Sequence, residues 1–180
     1  MKRILIALVI CSMLLIFNTK AFAADQSLEP KNFRGVEWGS SPEAAWANGI
    51  EMVDLGTDEK TGIALYARAN DRLSIADIEL EYIGYGYLRG QFCLVMMRTT
   101  RIGFDDYVNL EGVFLRMYGN PTDSEEYRYG EKMINWKFDN VVIEFDRYWL
   151  VTGPGQEIIY FVDISYEFPK ITRQAYNEDF

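Results

Sequence analysis

The sequence contains no histidine. Imidazole is the base in Ser-His-Asp and Cys-His catalysis, a frequent zinc ligand, and the side chain that titrates near neutral pH. Catalytic triads of this kind, histidine-ligated zinc and imidazole pH sensing are therefore excluded. Cysteine is also scarce, with Cys11 in an N-terminal apolar run and Cys93 in the strand-like run 91–97. We predict that Cys93 is a buried, unreactive thiol.

The first residues have the three parts of a secretory signal peptide. Lys2 and Arg3 precede an apolar run at 4–17, and Ala21-Phe22-Ala23 supplies the small-x-small cleavage pattern. The run is about 14 residues, whereas a membrane-spanning helix needs roughly 20. We predict cleavage after Ala23 or Ala24 and a periplasmic or secreted protein without membrane insertion, with an uncleaved anchor as the alternative. Cys93 would then be the single cysteine, which excludes an intramolecular disulfide.

Basic residues are few. The chain has 18 Lys and Arg against 27 Asp and Glu, and the predicted signal peptide removes three basic residues and no acidic one, so the net charge changes from -9 to about -12. Long-range repulsion opposes the approach of such a protein to nucleic acid or to an anionic membrane surface. We therefore predict no nucleic-acid ligand. A cationic partner is compatible with this charge, and so is a solvated acidic surface without one.

Carboxylates are the candidate catalytic groups that remain. Glu144 and Asp146 lie two residues apart on a predicted strand, so their side chains share one face about 6–7 Å apart. That separation fits the acid and base of an inverting glycosidase, which are roughly 6.5–9.5 Å apart. Their alternation with apolar residues is also typical of a solvent-facing strand surface. The enzyme question stays open, with a preference for no activity.

Neither a metal nor a cofactor is predicted. Asp54, Asp58 and Glu59 crowd one segment, but the chain lacks the Asp-x-Asp-x-Asp-Gly ladder of a calcium loop. It also lacks a phosphate-binding glycine loop that ends in lysine.

The first half of the chain predicts one helix and three strands. Residues 24–32 are polar and non-periodic, which indicates a flexible lead-in. Either Ser40 with Glu43 or Ser41 with Pro42 begins a helix at 41–48, with Ala45 and Trp46 directed to the core. Strands are predicted at 63–67, 75–87 and 91–99, and Gly84 and Gly86 in the second indicate a bulge or a close backbone approach.

The second half repeats this plan. Residues 104–118 have apolar side chains at three-to-four spacing, which predicts an amphipathic helix, and Gly119-Asn120-Pro121 ends it. The inward residues are predicted to be Tyr107, Leu110, Phe114 and Met117. Strands are predicted at 125–129, 133–138, 141–148 and 157–168, with Asp139-Asn140 as a hairpin turn.

These elements predict an α+β fold with the order α-β-β-β-α-β-β-β-β, in which the helices cover one face of an antiparallel sheet. The domain spans 33–168 as two helix-plus-meander units, 33–100 and 101–168, whose topology is duplicated although their sequences are not alike. Residues 169–180 are predicted to be a C-terminal tail.

Two motifs carry a resemblance. Phe33-x-Gly35-x-x-Trp38-Gly39 before a capped helix is similar to the start of many short, uncharacterised secreted proteins of Gram-negative bacteria, and Tyr118-Gly119-Asn120-Pro121 matches their usual helix ending. The tandem helix-plus-meander plan resembles the β-lactamase inhibitor protein and the small lipoproteins of outer-membrane assembly. The resemblance implies an exported interaction protein and assigns no functional residue.

Aromatic residues provide the candidate binding groups. We predict ligand contacts from Tyr85 and Tyr87, near the glycine pair, and from Tyr148 and Trp149, near Gly153-Pro154-Gly155. Packing of these rings between helix and sheet is the alternative. Phe33 and Trp38 are expected to fasten the start of the first helix to the sheet.

The sequence thus predicts a non-catalytic periplasmic module that binds another envelope protein or a peptide. The alternatives are a carboxylate-based hydrolase of envelope polymers and an inhibitor or chaperone-like protein that binds a cationic target.

Overall fold

The computed structural model describes residues 24–127, 131–151 and 158–176, with side chains described as far as Arg173. The predicted signal peptide and Gly153-Pro154-Gly155 lie outside the described residues. A 3-10 turn at Gln26–Leu28 comes first. The α-helices are α1 (Pro42–Ala47), α2 (Phe104–Tyr118) and α3 (Pro169–Tyr176). The strands are β1 (Asn32–Phe33), β2 (Val36–Glu37), β3 (Met52–Thr57), β4 (Ile63–Arg68), β5 (Ser74–Ile75), β6 (Ile78–Leu88), β7 (Gln91–Thr99), β8 (Asp123–Glu126), β9 (Lys132–Lys137), β10 (Val142–Val151) and β11 (Ile158–Glu167).

One antiparallel sheet organises the protein, so the predicted mixed α+β class with a largely antiparallel sheet is confirmed. Its strand order is β3-β4-β6-β7-β11-β10-β9-β8, with β5 added to β6, while β1 and β2 form a separate hairpin. The central neighbours β7 and β11 are far apart in sequence, with Arg98 opposite Asp163. β3 and β8 are therefore the edges of the sheet.

One face of the sheet holds the main core. A row of buried side chains crosses five neighbouring strands in register: Ile83, Met97, Ile164, Phe145 and Ile134. α2 packs against this face through Phe114, whose ring centroid is 5.1 Å from that of Phe145. α2 has the predicted bounds, and its buried residues include Tyr107, Leu110 and Phe114. Met117 was predicted to face inward, but its side chain is 48% exposed.

The start of α1 follows the Ser41 register. The Ser41 hydroxyl accepts a hydrogen bond from the Ala44 amide at 3.3 Å, and Pro42 occupies the first turn. Ala45 is buried as predicted, whereas Trp46 is 47% exposed, so its predicted core position is wrong. Successive side chains of an α-helix point about 100° apart, so the burial of Ala45 directs Trp46 away from the core.

Trp38 provides the predicted fastening. Its ring stacks on Phe92 at a centroid distance of 4.7 Å, and its indole N–H donates to the Pro30 carbonyl at 2.8 Å. Phe33 is buried against the ring of Tyr85. The prediction that these two aromatics attach the entry segment to the sheet is confirmed.

The lead-in is anchored, contrary to the prediction of a flexible segment. Glu29 accepts backbone hydrogen bonds from Asn140 at 2.5 Å and from Val141 at 2.9 Å, in the β9–β10 turn. Gln26 accepts another from the Asp139 amide. The sequence predicts that these polar side chains form a solvated linker. In the structure they accept hydrogen bonds from the backbone amides of the turn.

The larger elements absent from the prediction are β3 and α3. Asp54 and Gly56 interrupt the apolar residues of β3, and the strand is bulged between them. α3 replaces most of the predicted tail, and its Ile171 packs in a second apolar cluster with Ile63, Leu88 and Cys93. Burial raises the pKa of the Cys93 thiol to about 11, which confirms the predicted buried thiol.

Candidate functional site

The other face of the sheet carries a polar row. Tyr82, Arg98, Asp163 and Asp146 are neighbours in register on β6, β7, β11 and β10. They alternate with the buried row described above, so their side chains project away from α2. We call this side of the sheet the open face.

An ion pair lies at the centre of the open face. Arg98 donates to both carboxylate oxygens of Asp163, each at 2.6 Å, so the ion pair is bidentate. The Tyr82 ring lies beside the guanidinium, whose central carbon is 6.0 Å from the ring centroid. The side chains of Arg98 and Asp163 remain 43% and 27% exposed, so a ligand can reach them.

Asp146 lies next to this pair and is not neutralised by it. Its Oδ1 atom is buried and has no hydrogen-bond partner among the described residues. Burial, followed by the charges of Glu144 and Asp163, raises the pKa of Asp146 to about 6. An unpaired polar atom of this kind has unused capacity for a hydrogen bond.

An apolar cavity of about 420 Å³ lies on one side of this centre. Gly84 forms part of its floor, because the absence of a side chain leaves a depression between β4 and β7. Its apolar walls are Leu55, Leu65, Ala67, Leu73 and Met96. Leu55 and Leu73 are 61% and 46% exposed, so the described structure leaves this apolar wall largely open to solvent.

An aromatic cavity of about 370 Å³ lies on the other side. Tyr148 and Phe161, which lie opposite each other on β10 and β11, supply aromatic side chains, Trp149 also lines the cavity, and Glu81 and Glu131 supply carboxylates. It therefore combines ring faces with negative charge, the environment that favours an organic cation.

A smaller cavity of about 150 Å³ joins the two. It shares Tyr82 and Met96 with the apolar cavity and Tyr148 with the aromatic one, and Asp146 and Asp163 form part of its lining. The three cavities share lining residues and lie side by side across the strands from β4 to β10. We call the three cavities together the trough.

The predicted binding residues divide into two pairs. Tyr148 and Trp149 both line the trough. Tyr85 and Tyr87 do not, because they are 0% and 1% exposed in the main core, so their predicted role in ligand contact is wrong. The alternation of β6 places these tyrosines on the face of Ile83 and leaves the glycines on the open face.

The buried tyrosines have structural partners instead. The Tyr85 hydroxyl donates to Asp71 at 2.7 Å, and the Tyr87 ring packs edge-on against Tyr66. Burial raises the pKa of Tyr87 to about 12, consistent with a neutral core hydroxyl.

Glu144 and Asp146 share the open face, as their spacing requires. Arg98, Asp163, Tyr82 and Met96 were not identified from the sequence. Arg98 and Asp163 are brought together by a strand pairing across 65 residues, for which no local periodicity gives a signal. The sequence signal that did exist was Gly84, whose missing side chain opens the apolar cavity.

Charge on the open face is unbalanced. Within the described ranges, the ion pairs include Arg98 with Asp163 but none that involves Glu81, Glu131, Glu144 or Asp146. No group of three or more metal-ligating side chains occurs among the described residues. In the same part of the chain, every helix is too short or too polar to cross a bilayer.

The chain matches no protein-family model, no curated protein and no solved structure. Its function therefore has to be inferred from the residues of the trough.

Proposed function

We propose that the protein is an exported, periplasmic interaction module that binds a partner in the trough without transforming it. The trough, with its three adjoining cavities, is the observation that carries this proposal. Its apolar walls, its aromatic end and its unpaired Asp146 are the combination of concavity, apolar surface and a few polar groups that is typical of binding sites. The predicted signal peptide supports export.

The core of the fold gives the trough a rigid base. Its strands pair in a continuous ladder, and the opposite face of the same strands is packed against α2. A site on paired strands needs little ordering when a ligand binds, which lowers the entropy cost of association.

Affinity capture from an envelope extract tests this proposal. Leu55→Asp places a charge on the wall of the apolar cavity, and Val108→Asp places the same charge on the exposed side of α2, where Val108 is 47% exposed. Tagged wild-type protein should retain a specific component that Leu55→Asp loses and Val108→Asp keeps. Equal retention by all three proteins would show that the trough is not the binding surface.

A carboxylate-based hydrolase is the second candidate function. The raised pKa of Asp146, beside exposed Glu144 on the same face, is the observation that favours it, since a glycosidase needs one protonated and one ionised carboxyl group. Incubation with purified cell-wall polymer should then release soluble fragments. The release should be lost in both Asp146→Asn and Glu144→Gln while the melting temperature shows that each variant is folded. Absence of release by the wild-type protein would reject this function.

The duplicated plan of the two halves is also a proposal. The strand order supports it, because β3-β4-β6-β7 and β8-β9-β10-β11 run inward from opposite edges and meet at β7 and β11. α1 and α2 each precede one of these sets. In this arrangement the trough crosses the junction between the two units, so a ligand would contact both.

A further inference from the structure

We infer that the ligand of the trough is an extended peptide segment that carries an aliphatic side chain and, about five residues away, a lysine or arginine. This inference rests on the proposed function and specifies its ligand class. The trough crosses four inter-strand spacings from β4 to β10. At about 4.8 Å each these amount to roughly 19 Å, the length of about six residues of extended chain.

The apolar cavity sets the chemistry of one end. Leu55, Leu65, Leu73 and Met96 are flexible aliphatic side chains around a floor at Gly84, which suits a branched or linear aliphatic group. Burial of one leucine or isoleucine side chain here removes apolar surface of both the ligand and the cavity from water, which favours binding. Such a ligand covers Leu55 and Leu73, the two exposed leucines of this wall.

The aromatic cavity sets the chemistry of the other end. Glu81 and Glu131 line it without a cationic partner among the described residues, and Tyr148 and Phe161 supply aromatic side chains there. The positive charge of Arg98 in the same cavity is already neutralised by Asp163. The remaining negative charge and the ring faces complement an ammonium or guanidinium group on an aliphatic stem.

The connecting cavity suits a peptide backbone. Asp146, with its unpartnered oxygen, and Ser165 lie between the two ends and supply hydrogen-bonding groups. Backbone N–H groups repeat along an extended chain, so one of them reaches the centre when the two side chains occupy the ends.

A glycan fits the same surface less well. A sugar chain places hydroxyl groups along its whole length, and those opposite Leu55, Leu65 and Leu73 would lose their hydrogen bonds with water and gain no partner. A neutral glycan also leaves the carboxylates at the aromatic end unpaired.

Selection from a displayed library of random hexapeptides, with purified wild-type protein as the bait, tests this inference. Enriched peptides should carry an aliphatic residue and a lysine or arginine four or five positions apart. For a synthetic copy of the most enriched peptide, replacement of the basic residue by glutamate should weaken binding more than ten-fold. The double variant E81Q/E131Q should weaken binding of the unchanged peptide about as much, while D105N/D106N, which removes two exposed charges from α2, should not.

Enrichment without a basic residue, or no enrichment above the bare support, would overturn the peptide inference. The envelope-extract capture separates this failure from that of the proposed function. If the extract yields a glycan that Leu55→Asp no longer retains, the trough is a binding site for another ligand class. If retention does not depend on Leu55, the trough itself is wrongly assigned.

Discussion

Asp146 on β10 lies directly opposite Asp163 on β11, and of these two carboxylates the described structure pairs only Asp163 with a cation, Arg98. The sheet thus holds one neutralised and one unneutralised carboxylate side by side. Because Asp146 is also partly desolvated, its ionised form is less favourable at this position than it is in water, and its pKa is raised.

Asp146→Asn is expected to stabilise the protein at neutral pH. The folded-state pKa of Asp146, about 6, lies above its ordinary value of 3.8, so the folded protein binds more protons than the unfolded chain between these values. The stability of the wild-type protein should therefore fall as the pH rises from about 4 to about 6. The side-chain amide of the variant does not ionise, so it removes this loss. We expect the free energy of unfolding to increase by on the order of 1–2 kcal/mol at pH 7.5 after solvent screening is considered.

Thermal unfolding at several pH values checks this. The melting temperature of Asp146→Asn should exceed that of the wild-type protein by about 2–6 °C at pH 7.5 and by little at pH 4. Asp139→Asn, at an exposed position in the β9–β10 turn, should show no such pH-dependent gain. A constant difference across the pH range would contradict the assignment.

Tyr118 and Tyr166 share a buried hydrogen bond, with their hydroxyl oxygens 3.0 Å apart. Tyr166→Phe or Tyr118→Phe alone leaves one buried hydroxyl without its partner and should cost about 1–2 kcal/mol. The double phenylalanine variant should cost less than the sum of the two, because neither unpaired group remains. Chemical denaturation of all four proteins measures the coupling, and strict additivity would show that the bond contributes nothing specific.

Gly86 allows a close approach between neighbouring strands. A Cβ atom at this position would lie 2.9 Å from the Leu94 Cβ and 3.0 Å from the Ile63 Cγ2, so Gly86→Ala should destabilise by about 1–3 kcal/mol. At Gly84 the nearest atom would be 3.9 Å away, an ordinary contact. Gly84→Ala is therefore the matched control and should leave the denaturation midpoint nearly unchanged. Similar midpoints for both variants would contradict the close approach.

The two tryptophans near α1 are expected to differ in their effect on stability. Trp38→Ala removes the stack on Phe92 and the hydrogen bond to Pro30, and should cost about 2–4 kcal/mol. Trp46 is 47% exposed, so Trp46→Ala should change the free energy of unfolding by no more than about 0.5 kcal/mol. Urea denaturation followed by circular dichroism compares them, and an equal loss would show that Trp46 also supports the core.

Local patterns predicted much of the secondary structure. The three-to-four spacing of Tyr107, Leu110 and Phe114 located α2 correctly, because helix periodicity and burial on one face act within a few turns. The Asp139-Asn140 turn and the irregularity at the glycine pair of β6 were likewise predicted. Turn chemistry and the lack of a side chain are properties of single residues. β3 and α3 were missed because their apolar patterns are short or interrupted.

The candidate site was predicted only in part. Tyr148 and Trp149 line a surface cavity and remain predicted ligand contacts, whereas Tyr85 and Tyr87 are buried on the other face of the sheet. The period of two determines which residues share a face, but it does not determine which face a helix covers. That choice depends on α2, which follows β6 in the chain.

The sequence by itself determined the absence of histidine chemistry, the acidic charge, the mixed α+β class and the bounds of the longest helix. These depend on composition and on contacts within a few residues. Tertiary structure alone decided the pairing of Arg98 with Asp163, the unpaired oxygen of Asp146 and the path of the trough. These depend on the register between β7, β11 and β10, which is set by simultaneous packing of the whole opposite face rather than by any one segment.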